Sequence, residues 1–147
     1  NDAQVLADEI NGNNPDSAIT VQGNLDVKED VEKVINEVRD AFPTIDLLIN
    51  NASTFYPTPI EDISEEHWDK LVGSNLKGPL FLIKGLKDKL KESKGSIINI
   101  TDTNLSKGVA NYSIYSAAKA ISEAVKFLAK SNYITGQIIK VDGGRSL

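Results

Sequence analysis

Two side chains suited to proton transfer, Tyr115 and Lys119, stand four positions apart in the sequence. Residues at i and i+4 share one face of a helix, so both groups can act on the same ligand. An ammonium close to a phenol favours the phenolate and lowers the phenol pKa from its ordinary value of about 10. The pair therefore predicts an acid–base centre in which Tyr115 gives or takes a proton nearer neutral pH.

A carboxylate, Asp102, lies thirteen residues before Tyr115 and would act in the opposite sense. A negative charge beside a phenol opposes the phenolate and raises the phenol pKa. A tyrosine that stays protonated suits a reduction, in which a proton is delivered as hydride arrives. Structural alternatives remain: Asp102 could cap the following turn, and Tyr115 and Lys119 could be surface residues of an amphipathic helix.

The overall composition excludes several classes of function. The 147 residues carry a net charge of −5 and a pI near 4.9, which argues against nucleic acid because phosphate binding needs clustered cations. Zero cysteines exclude disulfides and thiol chemistry, and the single histidine, His67, cannot build a metal site alone. No apolar run approaches the roughly 20 residues of a membrane span. We therefore expect a soluble, cytoplasmic protein with no metal, membrane or nucleic-acid partner.

Short apolar runs alternate with longer amphipathic stretches, which predicts an α/β sheet with crossover helices. Strands are expected at residues 17–24, 45–50, 96–101 and 137–144. The 45–50 run is nearly all apolar, as expected of a central parallel strand that is covered on both faces. Right-handed crossovers make this a doubly wound, Rossmann-like parallel sheet in a single domain over residues 1–147.

Helices are expected between these strands. Asp26 is the predicted N-cap of one helix, with a glutamate three residues later as in a capping box. Ser64 is the predicted cap of a long helical region that runs to about residue 92, and His67 and Trp68 are assigned to its surface and packing. Residues 1–11 are predicted to form the end of a helix, with one apolar face formed by Val5, Leu6 and Ile10.

Polar residues follow three of the predicted strands. Asn24 ends the first, residues 50–53 follow the second, and Thr101 and Asp102 end the third. In a doubly wound sheet the ligand lies beyond the carboxyl ends of the strands. The pattern therefore predicts a site at this edge of the sheet, whatever its chemistry.

Asn75 stands four residues before Pro79 within the long helical region. Proline has no N–H to donate to the carbonyl four residues back. The sequence therefore predicts a kink with a free carbonyl at Asn75, able to hold a water molecule.

Together these motifs resemble the short-chain dehydrogenase/reductase family over essentially the whole chain. The motif at residues 50–53, Asn-Asn-Ala-Ser, is similar to the Asn-Asn-Ala-Gly of that family, and Tyr115 and Lys119 match its catalytic Tyr-x-x-x-Lys. Asn75 matches its active-site asparagine. The closing stretches, 134–137 and 141–144, match its final strand pattern.

The resemblance implies an NAD(P)(H) site. Lys119 would bind the nicotinamide ribose hydroxyls, and a water at Asn75 would continue a proton relay from that lysine. Asn24 stands where the family has an aspartate that reaches the adenine amino group, and Leu25 would flank the adenine. The remaining cofactor-binding residues implied are Asn50, Asn51, Ala52, Ser53 and Tyr115.

Two departures from the family pattern make the chain resemble one branch of the family in particular. Most members carry serine where this chain has Asp102, and the loop after residue 52 contains Phe55 followed by Tyr-Pro-Thr-Pro. Both features are similar to the pteridine reductase branch, in which the phenylalanine stacks on the pterin, and bacterial dihydromonapterin reductases share the aspartate. The implied substrate-binding residues are Ser53, Phe55, Asp102 and Tyr115, although Phe55 could simply pack on the core.

The resemblance leaves alternatives open. The expected activity is NADPH-dependent reduction of a dihydropterin, with dihydrofolate as a further substrate. The alternatives are a carbonyl reductase acting on 3-oxoacyl thioesters or sugars and a non-catalytic dinucleotide sensor. Family members usually form homotetramers, for which Val125 and Leu128 are the expected interface residues.

Two parts of the family pattern have no counterpart in the sequence. The first β-α-β unit, with its glycine-rich turn, would precede Asn1, and the chain contains no methionine. After the helix that carries Tyr115, residues 131–133 run straight into the last strand. We therefore expect that several tens of residues are missing near residues 130–131.

Overall fold

A computed structural model of the chain describes residues 2–102, 109–128 and 136–137, which form alternating helices and strands. In chain order the elements are α1 (Asp2–Asn13), α2 (Lys28–Ala41), β1 (Leu47–Asn50), a 3-10 turn (Ile60–Asp62), α3 (Glu65–Val72), a π-helical turn (Gly73–Lys77), α4 (Gly78–Ser93), β2 (Ser96–Asn99), α5 (Ser113–Leu128) and β3 (Gly136–Gln137). None of the helices in this described part combines the length and apolar character needed to cross a bilayer.

The three described strands form one parallel sheet in the order β1-β2-β3. Leu47 pairs with Ser96 and Asn50 with Asn99, so β1 and β2 end at the same level. The 45 residues between them, which include α3 and α4, form the crossover that parallel pairing requires. The predicted α/β architecture with a parallel sheet is confirmed.

Two clusters of apolar side chains make up the described core. In the first, Leu86 and Leu90 of α4 pack on Ile97 of β2, and Ile35 and Val38 of α2 pack against them. In the second, Leu71 of α3 packs on Ile114 and Tyr115 of α5. The second cluster therefore places the candidate catalytic tyrosine in the wall of a packed core.

The prediction of a strand at residues 17–24 is wrong for the described part of the chain. These residues have no regular secondary structure, and they pair with none of the three described strands. Ile19 is 43% exposed, although a strand in the sheet would bury such a side chain. A strand exists only when a neighbour takes up its backbone hydrogen bonds, and no described segment does so here.

The prediction that the strand at 45–50 is central and covered on both faces is also wrong here. β1 lies at the edge of the described sheet, with Leu47 48% and Ile49 52% exposed. The apolar face predicted for α1 is likewise exposed at Val5, Leu6 and Ile10. In both elements the sequence has an apolar surface that no described element covers.

Helix ends agree with prediction at Ser64 but not at Asp26. The Ser64 hydroxyl accepts a hydrogen bond from the His67 N–H at 3.2 Å, as an N-cap should. The helix after Asp26 begins two residues later, with Val27 at the N-cap and no side-chain cap. Asp26 instead donates its backbone N–H to the Asn24 side chain at 3.2 Å, which makes a local turn and displaces the helix start.

The long helical region is interrupted by the π-helical turn at Gly73–Lys77, just before Pro79. The Gly78 N–H bonds to the Gly73 carbonyl, five residues back, so the turn accommodates one extra residue. A turn of this kind is a recognised cause of kinking, and it contains Asn75. The sequence located the irregularity correctly but predicted its cause as proline alone.

Several predicted features lie outside the described residues. They include most of the strand at 137–144, the junction near residues 130–131, and the side chains of Val125 and Leu128.

The packing of α2 on α4 depends on Gly85. A Cβ at this position would lie 2.8 and 2.9 Å from Cγ1 and Cγ2 of Ile35, closer than side-chain atoms approach. We expect Gly85→Ala to lower the free energy of unfolding by about 1–2 kcal/mol, because overpacking outweighs the better helix propensity of alanine. Gly12→Ala in α1, where a Cβ meets nothing within 4 Å, should be neutral or stabilising. Urea unfolding of both variants checks this, and equal effects would contradict it.

Candidate active site

Tyr115 and Asp102 come together at the end of the sheet. Asp102 follows β2, while Tyr115 is the third residue of α5 and is only 7% exposed. The phenol donates a hydrogen bond to Oδ2 of Asp102, with 3.1 Å between the oxygens. The spacing of thirteen residues thus joins a strand end to a helix start. The alternative role of Asp102 as a cap of the next turn concerns residues outside the described part.

Lys119 lies one turn further along α5, on the same face as Tyr115. Its side chain is buried, with 5% exposed, and its ammonium donates to the Ile100 carbonyl at 3.1 Å. The ammonium lies 5.9 Å from the centre of the Tyr115 ring. Ile100 itself donates its N–H to the Asn50 carbonyl, so the ends of β1 and β2 fix the acceptor that holds the lysine.

The electrostatics of the pair differ from the first expectation. Burial, followed by the charge and the hydrogen bond of Asp102, raises the pKa of Tyr115 to about 12. A hydrogen bond with Ser53 acts in the opposite direction and lowers this pKa. The prediction that Lys119 holds the tyrosine pKa down is therefore wrong here, since the ammonium bonds to a backbone carbonyl. Burial also lowers the pKa of Lys119, and the charge of Asp102 partly offsets this.

Asn75 anchors the loop after β1 to the helix. It is 2% exposed, and its amide nitrogen donates to the carbonyls of Thr54 at 2.8 Å and Leu71 at 2.9 Å. Because these acceptors fix the orientation of the amide, its oxygen faces Ser53, whose hydroxyl donates to it at 2.7 Å. Asn75 thus connects to the Tyr115 centre through Ser53. The water relay at its carbonyl stays a prediction.

Phe55 extends from this loop to Tyr115. Its ring centre lies 4.8 Å from that of Tyr115 in an edge-on arrangement, and 4.5 Å from that of Tyr112 in a stacked one. The ring is still 53% exposed, so it is accessible to a ligand. Sequence reasoning missed Tyr112, which lies directly before α5 and three positions ahead of Tyr115.

The predicted cofactor residues fall into two groups. Asn50 is buried and donates to the Asn99 side chain at 2.7 Å, while Asn51, Ala52 and Ser53 are exposed beyond β1. Asn99 was missed, yet it is the register partner of Asn50.

Asn24 and Leu25 make their contacts elsewhere. The Asn24 N–H donates to the Asp30 carboxylate of α2 at 2.7 Å. Leu25 lies against Gly78 and lines a mostly apolar cavity of about 170 Å³ between α2 and α4. His67, as expected, has a packing role, with its ring edge-on to Tyr56 at 5.8 Å, and Trp68 is 51% exposed.

Comparisons with known proteins show the family of the chain. The family model described as short chain dehydrogenase matches residues 1–141. The chain belongs to the short-chain dehydrogenase/reductase family. A short-chain dehydrogenase from Streptomyces avermitilis has the same fold, with a TM-score of 0.77 and 25% identity, over 94% of this chain and 52% of that one.

Curated relatives carry several different names. An NAD-dependent glycerol dehydrogenase of Listeria innocua is 31% identical over 108 residues, covering 73% of this chain and 42% of the relative. A 3-oxoacyl-[acyl-carrier-protein] reductase of Synechocystis is 36% identical, covering 73% and 44%. A galactitol 2-dehydrogenase of Agrobacterium fabrum is 35% identical, covering 61% and 36%. The chain therefore spans less than half the length of these curated relatives.

The Asp102–Tyr115 hydrogen bond can be tested by titration. Replacing Asp102 with Asn removes a negative charge that opposes the phenolate, so we expect the Tyr115 pKa to fall from about 12 toward the ordinary 10.0 without reaching it, because burial remains. The pKa is measured from phenolate absorbance after rapid pH jumps, before the protein unfolds. The Tyr115→Phe variant identifies which of the four tyrosines is titrating. A pKa that is unchanged in Asp102→Asn would contradict the assignment.

The buried side-chain hydrogen bonds of Asn75, with Ser53, Thr54, Leu71 and Ser74, predict a stability effect. We expect Asn75→Ala to lower the free energy of unfolding by about 2–4 kcal/mol, since each lost bond contributes roughly 0.5–1 kcal/mol. Asn13→Ala is the matched control, because that exposed side chain makes one long bond, to the Glu9 carbonyl at 3.3 Å. The control should change stability by less than about 0.5 kcal/mol in the same denaturant titration.

Proposed function

We propose that this chain carries the site of an NADPH-dependent pteridine reductase, which reduces a dihydropterin to a tetrahydropterin, with dihydrofolate as a further substrate. One observation supports this above the others: the Asp102 carboxylate accepts a hydrogen bond from the Tyr115 phenol at 3.1 Å. Most members of the family have serine at that position, as the sequence resemblance implies.

Tyr115 is the proton donor in this proposal. A phenol with a pKa of about 12 stays protonated throughout the neutral range, so it can donate but not accept. The reaction adds hydride to a ring carbon and a proton to the adjacent ring nitrogen. Once Tyr115 has given up its proton, the hydrogen bond with Ser53, which lowers the Tyr115 pKa, stabilises the phenolate until solvent reprotonates it.

Asp102 and Phe55 account for the choice of substrate. A carboxylate can accept hydrogen bonds from the amino group and the ring N–H of a pterin, a pairing that a serine makes less well. Phe55 offers an exposed aromatic face beside Tyr115, on which a flat heterocycle can stack. The two side chains together suit a planar ligand with a hydrogen-bonding edge.

The residues present fit the nicotinamide end of a dinucleotide. The Lys119 ammonium has three donors, and its bond to Ile100 uses one of them, so donors remain for ribose hydroxyls. Asn51, Ala52 and Ser53 are exposed at the end of β1, where the family binds its cofactor. Asn24 and Leu25 would hold the adenine. When bound, the nicotinamide supplies the hydride.

A carbonyl reductase is the second candidate. This alternative is supported by two relatives, which are named as a 3-oxoacyl-[acyl-carrier-protein] reductase and a galactitol 2-dehydrogenase. Under this alternative Asp102 is an incidental variant and Tyr115 protonates a carbonyl oxygen. A non-catalytic dinucleotide sensor is disfavoured, because Tyr115 and Lys119 are both present on one helix face.

We also propose that the protein assembles as a homotetramer, as is usual in the family.

Replacing Asp102 with Ser separates the two candidates. In the full-length protein, NADPH oxidation is followed with dihydrobiopterin, dihydromonapterin, dihydrofolate and an acetoacetyl thioester. We expect the wild type to turn over pterins and Asp102→Ser to lower kcat/KM for them by about a hundredfold, the usual size for loss of a group that acts at the reacting centre.

The comparison with the thioester decides between the outcomes. If only the thioester is reduced and Asp102→Ser retains that activity, the carbonyl reductase alternative is correct. If cofactor binds and no substrate in the panel is turned over, the sensor alternative is supported instead. Replacing NADPH with NADH in the same assay measures the cofactor preference.

A further inference from the structure

Three aromatic rings meet at the proposed site, and only two of them have a role so far. Tyr112 lies directly before α5, and its carbonyl accepts the Ser116 N–H at 2.9 Å, which begins the first helical turn. It packs against the cluster of Leu71, Ile114 and Tyr115. Its ring is also stacked on Phe55, with ring centres 4.5 Å apart and planes 16° from parallel.

The backbone ties the two rings together as well. Thr58, three residues after Phe55, is fully buried and forms a parallel β-bridge with Tyr112. The Thr58 N–H donates to the Asn111 carbonyl at 2.5 Å. Asn111 adopts a left-handed conformation, with φ of 66°, which asparagine tolerates better than most residues. The loop that carries Phe55 is therefore joined to the start of the catalytic helix.

The spacing of the two rings determines how a ligand can use them. A third ring between them would need a separation of roughly 7 Å, twice the contact distance of about 3.5 Å between stacked carbon atoms. At 4.5 Å no ligand ring fits between the two, and the face available for stacking is the outer face of Phe55, which is 53% exposed. Tyr112 then lies behind Phe55 and limits its rotation, which reduces the entropy lost on binding.

We propose that Tyr112 is a positioning residue of this site, which holds Phe55 in one orientation so that a flat heteroaromatic substrate stacks on it beside Tyr115. This inference rests on the proposed function and adds a specificity determinant to it. A non-aromatic substrate gains little from such a face. The chemical class selected by the pair is therefore a planar, fused heterocycle.

The test uses two substitutions in the full-length protein. Tyr112→Leu removes the ring and keeps an apolar side chain, while Tyr112→Phe keeps the ring and removes only the hydroxyl. The steady-state kinetics of dihydrobiopterin and an acetoacetyl thioester are compared, together with the dissociation constant of oxidised biopterin from its fluorescence. Trp68→Leu, which removes an exposed ring from α3, is the matched control.

We expect Tyr112→Leu to raise KM for dihydrobiopterin and the dissociation constant for biopterin by about three- to tenfold, the range for one aromatic contact. The ratio of kcat/KM for pterin over thioester should fall by the same factor, and Tyr112→Phe should restore it. An equal loss of kcat for both substrates, or no change in pterin affinity, would overturn the inference while leaving the proposed function intact. A wild-type protein that neither binds nor reduces a pterin would overturn both.

Discussion

The parallel pairing of β1 with β2 is the constraint on which the candidate site depends. Because Asn50 and Asn99 are register partners, the two strands end together, and their following loops leave the sheet side by side. One loop carries Ser53 and Phe55, and the other segment leads to Asp102. A register shift of one residue would reverse the direction of every following side chain, because strand side chains alternate between faces.

Burial then gives these groups their chemical character. Tyr115 and Lys119 are both more than nine-tenths buried, and water loss disfavours the charged form of each. The half-buried carboxylate of Asp102 has opposite effects on the two, since it stabilises the ammonium and destabilises the phenolate. The result is a neutral phenol beside a cation, an arrangement that favours proton donation over proton abstraction.

The sequence was sufficient to predict the parallel sheet, because short apolar runs alternate with amphipathic stretches along the chain. It also predicted the cap at Ser64 and the meeting of Asp102 with Tyr115, because both depend on short spacings. It failed where the outcome depends on a neighbouring element. Residues 17–24 have strand-like composition, but a strand also needs a partner, and β1 needs cover that no described element provides. The direction in which Asp102 shifts the Tyr115 pKa was predicted correctly. The effect of Lys119 on that pKa was misjudged, because i, i+4 spacing does not show which acceptor an ammonium chooses; here it is the Ile100 carbonyl.

The π-helical turn at Gly73–Lys77 allows one continuous helical region to serve two separate cores. One additional residue offsets the helix faces on either side of the turn by about 100°, the angle per residue of an α-helix. Leu71, before the turn, packs on α5, while Leu86 and Leu90, after it, pack on β2. The packing of both cores therefore depends more on the number of residues in this turn than on their identity. A homologous helix shorter by one residue would keep its apolar residues and still lose the alignment of one core with its partner.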